Sequence, residues 1–152
     1  MNRTQLIADL RRDEGLCLQA YDDGTGAVIR PGTTIKGHVT VGIGRALDTN
    51  GITSTEADYL LSNDIDRVSA AMAAYPWFTS LDDIRQNAML NMAFNIGTTG
   101  ILEFHDMIRY LTDDPPRFEL AASAIEDSLW YREVGARAAR VANAMRTGAQ
   151  SA

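Results

Sequence analysis

Residues 84–96 form a segment that has to be buried. Ser80-Leu81-Asp82-Asp83 supplies a helix start and Gly97 a stop. Between them lie Ile84, Ala88, Met89, Leu90, Met92, Ala93, Phe94 and Ile96. At helical spacing these residues occupy nearly every side, so other helices must wrap them, with Met89 and Met92 as core. The chain supplies such helices. Thr53-Ser54-Thr55-Glu56 reads as a capping box, followed by an apolar stripe of Leu60, Leu61, Ile65, Val68 and Met72 that ends before Pro76. Further helices are expected near 101–112, 117–128 and 136–146, with Pro115-Pro116 as a break and His105 at a helix surface or cap.

Before residue 53 the pattern is different. A first helix is expected over 4–14, with Leu6, Ile7, Leu10 and Glu14 on one face and Gly15 ending it. Leu16, Leu18 and Ala20 then alternate with Cys17, Gln19 and Tyr21. Asp22-Asp23-Gly24 and Pro31-Gly32 are turn signals, Val28-Ile29 is a short strand, and the alternation resumes over Val39–Gly44. The predicted class is α+β: one domain over 1–152, with an antiparallel sheet lobe at about 15–50 and a helical lobe at about 53–148 plus the N-terminal helix.

Composition narrows the chemistry. Cys17 is the single cysteine, which excludes an internal disulfide and paired-cysteine zinc sites. With His38 and His105 the only histidines, no metal or cofactor is expected. The net charge is −6: residues 1–55 are neutral, 56–129 carry −9 and 130–152 carry +3. That balance argues against a nucleic-acid partner. No apolar run is long enough to span a membrane, and charges interrupt residues 1–12 too early for an export signal to be expected there.

One group carries possible chemistry. Glu14 ends a helix on its apolar face, Asp22 and Asp23 sit in a turn, and Thr40 opens a later strand. Glycoside hydrolysis uses two carboxyl groups in unlike surroundings, one giving a proton and one activating water. An acid beside apolar surface suits the first role and an acid in a polar turn the second. A helix-end Glu with two turn-forming Asp residues accounts for the same spacing.

Arg12-Asp13-Glu14-Gly15-Leu16, Tyr21-Asp22-Asp23 and Thr40-Val41-Gly42-Ile43-Gly44 together resemble the phage-type lysozymes, glycoside hydrolase family 24. So do Gly51-Ile52-Thr53-Ser54-Thr55-Glu56-Ala57, Phe94-Asn95-Ile96-Gly97-Thr98-Thr99-Gly100, Trp130-Tyr131, Arg137-Ala138-Ala139-Arg140 and Arg146-Thr147-Gly148. The resemblance covers nearly the whole chain in order. It implies a lysozyme-like fold with a cleft between the lobes and a triad of Glu14, Asp23 and Thr40. Asp23 matches rather than Asp22 because eight residues separate it from Glu14. The implied roles are proton donor for Glu14, water activation for Asp23 and water holding for Thr40, with inversion at the sugar carbon. Arg137 matches an arginine that pairs with the catalytic Glu; Phe94 and Asn95 match cleft-lining positions. Tyr21 is a candidate to stack on sugar or to pack in the hairpin.

The implied activity is that of an endolysin cutting the β-1,4 bond between N-acetylmuramic acid and N-acetylglucosamine in peptidoglycan. The implied setting is a monomer, without stable membrane insertion, that stays in the host cytoplasm until a holin-type lesion opens the way to the wall. The chain departs from the family between Asp23 and Thr40, where segment 24–39 is lengthened. Arg45 stands where a histidine is frequent, and the short connection from Leu47 to Thr53 lacks the extra helix of some members. Two rival chemistries remain: a lytic transglycosylase forming 1,6-anhydro products, and a Cys17–His38 peptidase cutting stem peptides. Arg132, Arg140 and Arg146 are candidate cations for docking on an anionic wall, with pairing inside the fold an equal alternative for Arg140.

Overall fold

The computed structural model describes residues 1–150. The elements run α1 (Arg3–Glu14), β1 (Cys17–Asp22), β2 (Val39–Gly42), β3 (Arg45–Ala46), α2 (Leu47–Asn50), α3 (Ser54–Met72), α4 (Pro76–Thr79), α5 (Asp83–Leu102), α6 (His105–Thr112), α7 (Phe118–Glu126), α8 (Leu129–Val134) and α9 (Ala136–Thr147). The α+β expectation is met. The chain divides into two compact units, Met1–Asp58 and the remainder from Tyr59, and α1 falls with the sheet in the first.

In the first unit Asn2 caps α1 by accepting from the Gln5 N–H at 3.1 Å. The sheet is antiparallel with order β1-β2-β3. Cys17 faces Gly42, Tyr21 faces Thr40 and Asp22 faces Val39, with an irregularity between Cys17 and Tyr21. Across the second ladder Thr40 faces Ala46 and Val41 faces Arg45, so Thr40 lies on the central strand. The strand expected at Val28-Ile29 is reduced to a single bridge between Val28 and Tyr21, because the Pro31-Gly32 turn follows at once and leaves no length to extend the ladder. The connection after Leu47, expected to have no helix, carries the single turn α2.

The capping box at α3 forms in both directions. Glu56 takes the Thr53 N–H at 2.7 Å, and the Thr53 hydroxyl takes the Glu56 N–H at 3.2 Å. Of the expected stripe only Val68 and Met72 are buried; Leu60, Leu61 and Ile65 are exposed. Pro76 opens the next helix, α4, at its first turn, where its missing N–H has no partner to lose.

The second unit is built round α5 as expected, though on one broad face rather than all sides. Ala88, Met89, Met92, Ala93 and Ile101 are buried, whereas Phe94 is 45% exposed. Gly97 breaks the helix with φ 78° and ψ 160°. Alanines on α7 (Ala121, Ala122) and α9 (Ala138, Ala142) are fully buried and let those helices approach closely. Met107 on α6 and Met145 on α9 are also fully buried, and their flexible side chains suit irregular core space.

One side chain ties the start of α5 to the end of α9. Arg85 donates from Nε to the Met145 carbonyl at 2.8 Å and from Nη2 to that of Arg146 at 3.4 Å. Its Nη1 pairs with Asp82, the α5 cap, and its guanidinium lies 3.7 Å over the Phe118 ring. The C-cap Gly148 makes this possible: its φ is +64°, and a Cβ there would stand 2.6 Å from Arg85 Nη1. Replacing Arg85 with Ala strips partners from two helix-end carbonyls and a cap carboxylate. The expected cost is about 3 kcal/mol in denaturant unfolding. Removing exposed Arg132 is expected to change stability by less than about 0.5 kcal/mol.

Candidate functional site

The carboxyl groups of the Asp22-Asp23 turn have opposite fates. Asp22 is the last residue of β1 and its side chain points inward, leaving it 1% exposed. A buried carboxylate needs donors, and the 24–37 segment folds back to give them. Asp22 Oδ1 accepts from the N–H groups of Gly37 at 2.7 Å and Gly24 at 3.1 Å. Oδ2 accepts from the Lys36 N–H and the Thr25 hydroxyl, each at 3.0 Å. Burial pushes the Asp22 carboxyl up, but these donors, led by Gly37 and Lys36, outweigh it and hold the group below its ordinary 3.8.

Asp23, one residue on, faces outward and is exposed. Its Oδ1 accepts the His38 N–H at 2.6 Å, and its own N–H donates to the His38 carbonyl at 3.1 Å. The approach is close enough that a Cβ on residue 37 would collide with Asp23 Oδ1 and with Gly24 N, so only glycine fits there. Thr40 is 3% exposed, and its hydroxyl donates to the same His38 carbonyl at 3.4 Å. Asp23 and Thr40 therefore share one peptide group as a common support.

Glu14 ends α1 and meets the β2–β3 turn. A Cβ on Gly44 would lie 3.2 Å from Glu14 Oε2. The apolar surroundings expected for this acid are absent: Glu14 is exposed, and α1 buries none of its residues, Leu6, Ile7 and Leu10 included. The stripe is present in α1 but unburied, and the β2–β3 turn at Gly44 lies beside the carboxylate.

The remaining expected residues divide between the units. Tyr21 is half-buried in β1 opposite Thr40, with its backbone bridged to Val28. In the second unit the Asn95 side chain accepts from Trp130 Nε1 at 2.7 Å. Arg137 donates from Nε to Asn91 Oδ1 and from Nη2 to the Asn91 carbonyl, both at 2.8 Å. Arg137, Asn91 and Phe94 line a cavity of about 340 Å³ with Leu61, Ile65 and Leu90.

Two expectations are corrected. Arg146 is no docking cation: it is held by Glu119 at 2.8 Å and Glu126 at 2.7 Å, which push its pKa up. The Cys17–His38 pair does not form. Cys17 faces Gly42 while His38 precedes Val39, a separation of roughly 13 Å along β2. Cys17 Sγ instead lies 3.2 Å from the Gln19 carbonyl.

The His38 ring has another use, which the sequence reading missed. Its Nδ1 lies 3.2 Å from Asp48 Oδ2 and 3.3 Å from the Thr49 hydroxyl on α2. Burial pushes the Asp48 carboxyl up, but His38, the Val39 N–H and Thr49 together bring it below the ordinary value. A histidine ten residues before an aspartate is too common a spacing to signal this. Among the described residues, no three His, Cys, Asp or Glu side chains are grouped so as to hold a metal ion.

The lowered Asp22 carboxyl fixes a pH dependence. Stability from its hydrogen bonds is complete above the unfolded-state value near 3.8 and is lost as pH falls through the lower folded-state value. Asp22→Asn is therefore expected to be less stable than wild type at pH 7, with the gap closing below pH 3.8, as followed by chemical unfolding across pH.

Comparison with known proteins bears on this geometry. Residues 11–142, which include Glu14, Asp23 and Thr40, match the model of the phage lysozyme family. The chain is 32% identical over 157 aligned residues to the pre-baseplate central spike protein Gp5 of Enterobacteria phage T4, covering 91% of this chain and 27% of that protein. It is 27% identical over 105 residues to the probable T4-type lysozyme 1 of Dictyostelium discoideum, covering 66% of this chain and 61% of that one. The chain thus spans under two thirds of the length of either relative. With the family match running from the end of α1 into α9, this chain belongs to the phage lysozyme family.

Proposed function

We propose that this protein is a muramidase that hydrolyses the β-1,4 bond between N-acetylmuramic acid and N-acetylglucosamine in peptidoglycan. The observation that carries the reading is the division between adjacent aspartates: Asp22 is consumed by the fold, whereas Asp23 stands exposed on a clamped backbone. An exposed carboxylate held by the same residue's backbone as a buried hydroxyl suits work on a water molecule.

In this reading Glu14 protonates the leaving oxygen, and Asp23 accepts a proton from the attacking water. The Thr40 hydroxyl spends its proton on the His38 carbonyl, so it meets the water as an acceptor. Water that donates one hydrogen to Asp23 and the other to Thr40 turns a lone pair toward the sugar carbon. Attack from the face opposite the leaving group inverts that carbon and needs a carboxyl separation of roughly 6.5–9.5 Å. Tyr21, Phe94, Asn95 and Arg137 are proposed to contact the glycan or to orient the site. The setting proposed is an endolysin, acting as a monomer once a holin-type lesion gives access to the wall.

The likeness to a central spike protein favours a second setting for the same reaction, as a wall-cutting part of a larger particle. Sedimentation of the native protein with assembled particles, rather than its recovery in the soluble lysate, would select that setting.

Mass spectrometry of digested peptidoglycan tests the reaction itself. Reducing muramic ends are expected; 1,6-anhydro ends would replace hydrolysis with transglycosylation. Glu14→Gln is expected to lower kcat by at least about 100-fold with unchanged thermal unfolding. Thr40→Val, which keeps the branched shape and removes the hydroxyl, is expected to lower kcat with KM little altered. Cys17→Ser should leave activity intact.

A further inference from the structure

The lengthened segment ends in a device that the proposed reaction does not itself explain. His38 occupies the junction between that segment and β2, and its two peptide groups do different work. The Gly37–His38 peptide gives its N–H to Asp23 Oδ1 at 2.6 Å. The His38–Val39 peptide receives the Asp23 N–H at 3.1 Å and the Thr40 hydroxyl at 3.4 Å through its carbonyl, while its N–H lies 3.4 Å from Asp48 Oδ2. The same Asp48 oxygen meets His38 Nδ1 at 3.2 Å.

The proton placement is self-consistent. Asp48, as a carboxylate, only accepts, so Nδ1 carries the hydrogen. The Thr49 hydroxyl stands 3.4 Å from Asp48 Oδ1 and donates there, leaving its lone pairs toward Nδ1–H at 3.3 Å. Ring, carboxylate and hydroxyl close a triangle anchored on α2. The Gly37 side of the Gly37–His38 peptide is held by the bond from the Gly37 N–H to Asp22 Oδ1, and the ring supplies an anchor on the other side of His38. Without the ring anchor, the N–H that grips Asp23 is directed only by the backbone bonds at Gly37 and at the His38 carbonyl.

We propose that His38 is a positioning residue: its ring, seated on Asp48 and Thr49, holds the peptide groups that aim Asp23 and support Thr40. The inference rests on Asp23 being the water-activating carboxylate. It assigns to Asp48, on a one-turn helix outside the site, an effect on turnover transmitted through His38. Loss of aim at a reacting centre lowers the rate of the chemical step while leaving glycan contacts elsewhere unchanged, so the signature is in kcat rather than KM.

The test is steady-state kinetics on purified peptidoglycan for His38→Ala, His38→Asn, Asp48→Ala and Asp23→Ala, each checked by thermal unfolding. His38→Ala and Asp48→Ala are expected to lower kcat by about tenfold to a hundredfold with KM little changed. His38→Asn, whose amide N–H can reach Asp48 from near the position of Nδ1, is expected to recover most of the loss. Wild-type kcat in folded His38→Ala, a loss confined to KM, or no recovery in His38→Asn would overturn the inference. Should His38→Ala not fold, Asp48→Ala alone decides, since wild-type kcat there breaks the chain from α2 to Asp23. An inactive Asp23→Ala beside a fully active His38→Ala removes this inference and leaves the site standing. An active Asp23→Ala removes both.

Discussion

A carboxylate taken out of water must be met by donors, and the first unit is organised round meeting one. Asp22 closes β1 with its side chain buried, and the residues that satisfy it come from both ends of an otherwise irregular segment: Gly24 and Thr25 at the start, Lys36 and Gly37 at the end. Four hydrogen bonds to one side chain draw the segment into a closed loop. Its closure sets Gly37 against Gly24 and delivers His38 to Asp23. The exposed carboxylate therefore owes its fixed position to the buried one. Substituting either glycine of the Gly24–Gly37 contact would wedge the loop open at its neck.

The second unit solves a different problem by different means. Its central helix is too apolar to be left in water, and the neighbouring helices cover it with alanines and methionines together with the rings of Trp77, Phe78 and Trp130. Small residues shorten the distance between helices, and methionines adapt to the gaps that remain. Caps set where these helices end, and Arg85 ties the start of α5 to the end of α9. It meets a cap carboxylate, two terminal carbonyls and an aromatic face in one place. Arg146 does similar work between α9 and α7 through Glu119 and Glu126. The positive charge of the C-terminal segment is thus partly spent inside the fold.

Much of the fold could be read from local pattern. The helix start at Thr53, the stop at Gly97 and the break at Pro115-Pro116 are set by residues within a turn of one another, so the sequence carries them openly. The α5 core followed from periodicity. The stripe on α3 did not carry through, because periodicity identifies an apolar face and says nothing about whether a partner covers it: Leu60, Leu61 and Ile65 share the face of Val68 and Met72 and remain exposed. The same limit applies to Glu14, whose place on the apolar side of α1 suggested a shielded acid that the structure does not contain.

The sequence by itself determined the α+β class and the helix boundaries that depend on caps and glycines, while the candidates Glu14, Asp23 and Thr40 came from the resemblance to the phage-type lysozymes. Caps and glycine stops are written in residue types a few positions apart. Tertiary structure decided which of two adjacent aspartates is a buried strut and which stays exposed, since that depends on donors fourteen and fifteen residues away. It also decided that His38 serves Asp48 and Asp23 instead of Cys17, because strand register sets which side chains meet across the sheet. Chain spacing can bring a residue type to a turn; only the closed loop determines what its side chain finds there.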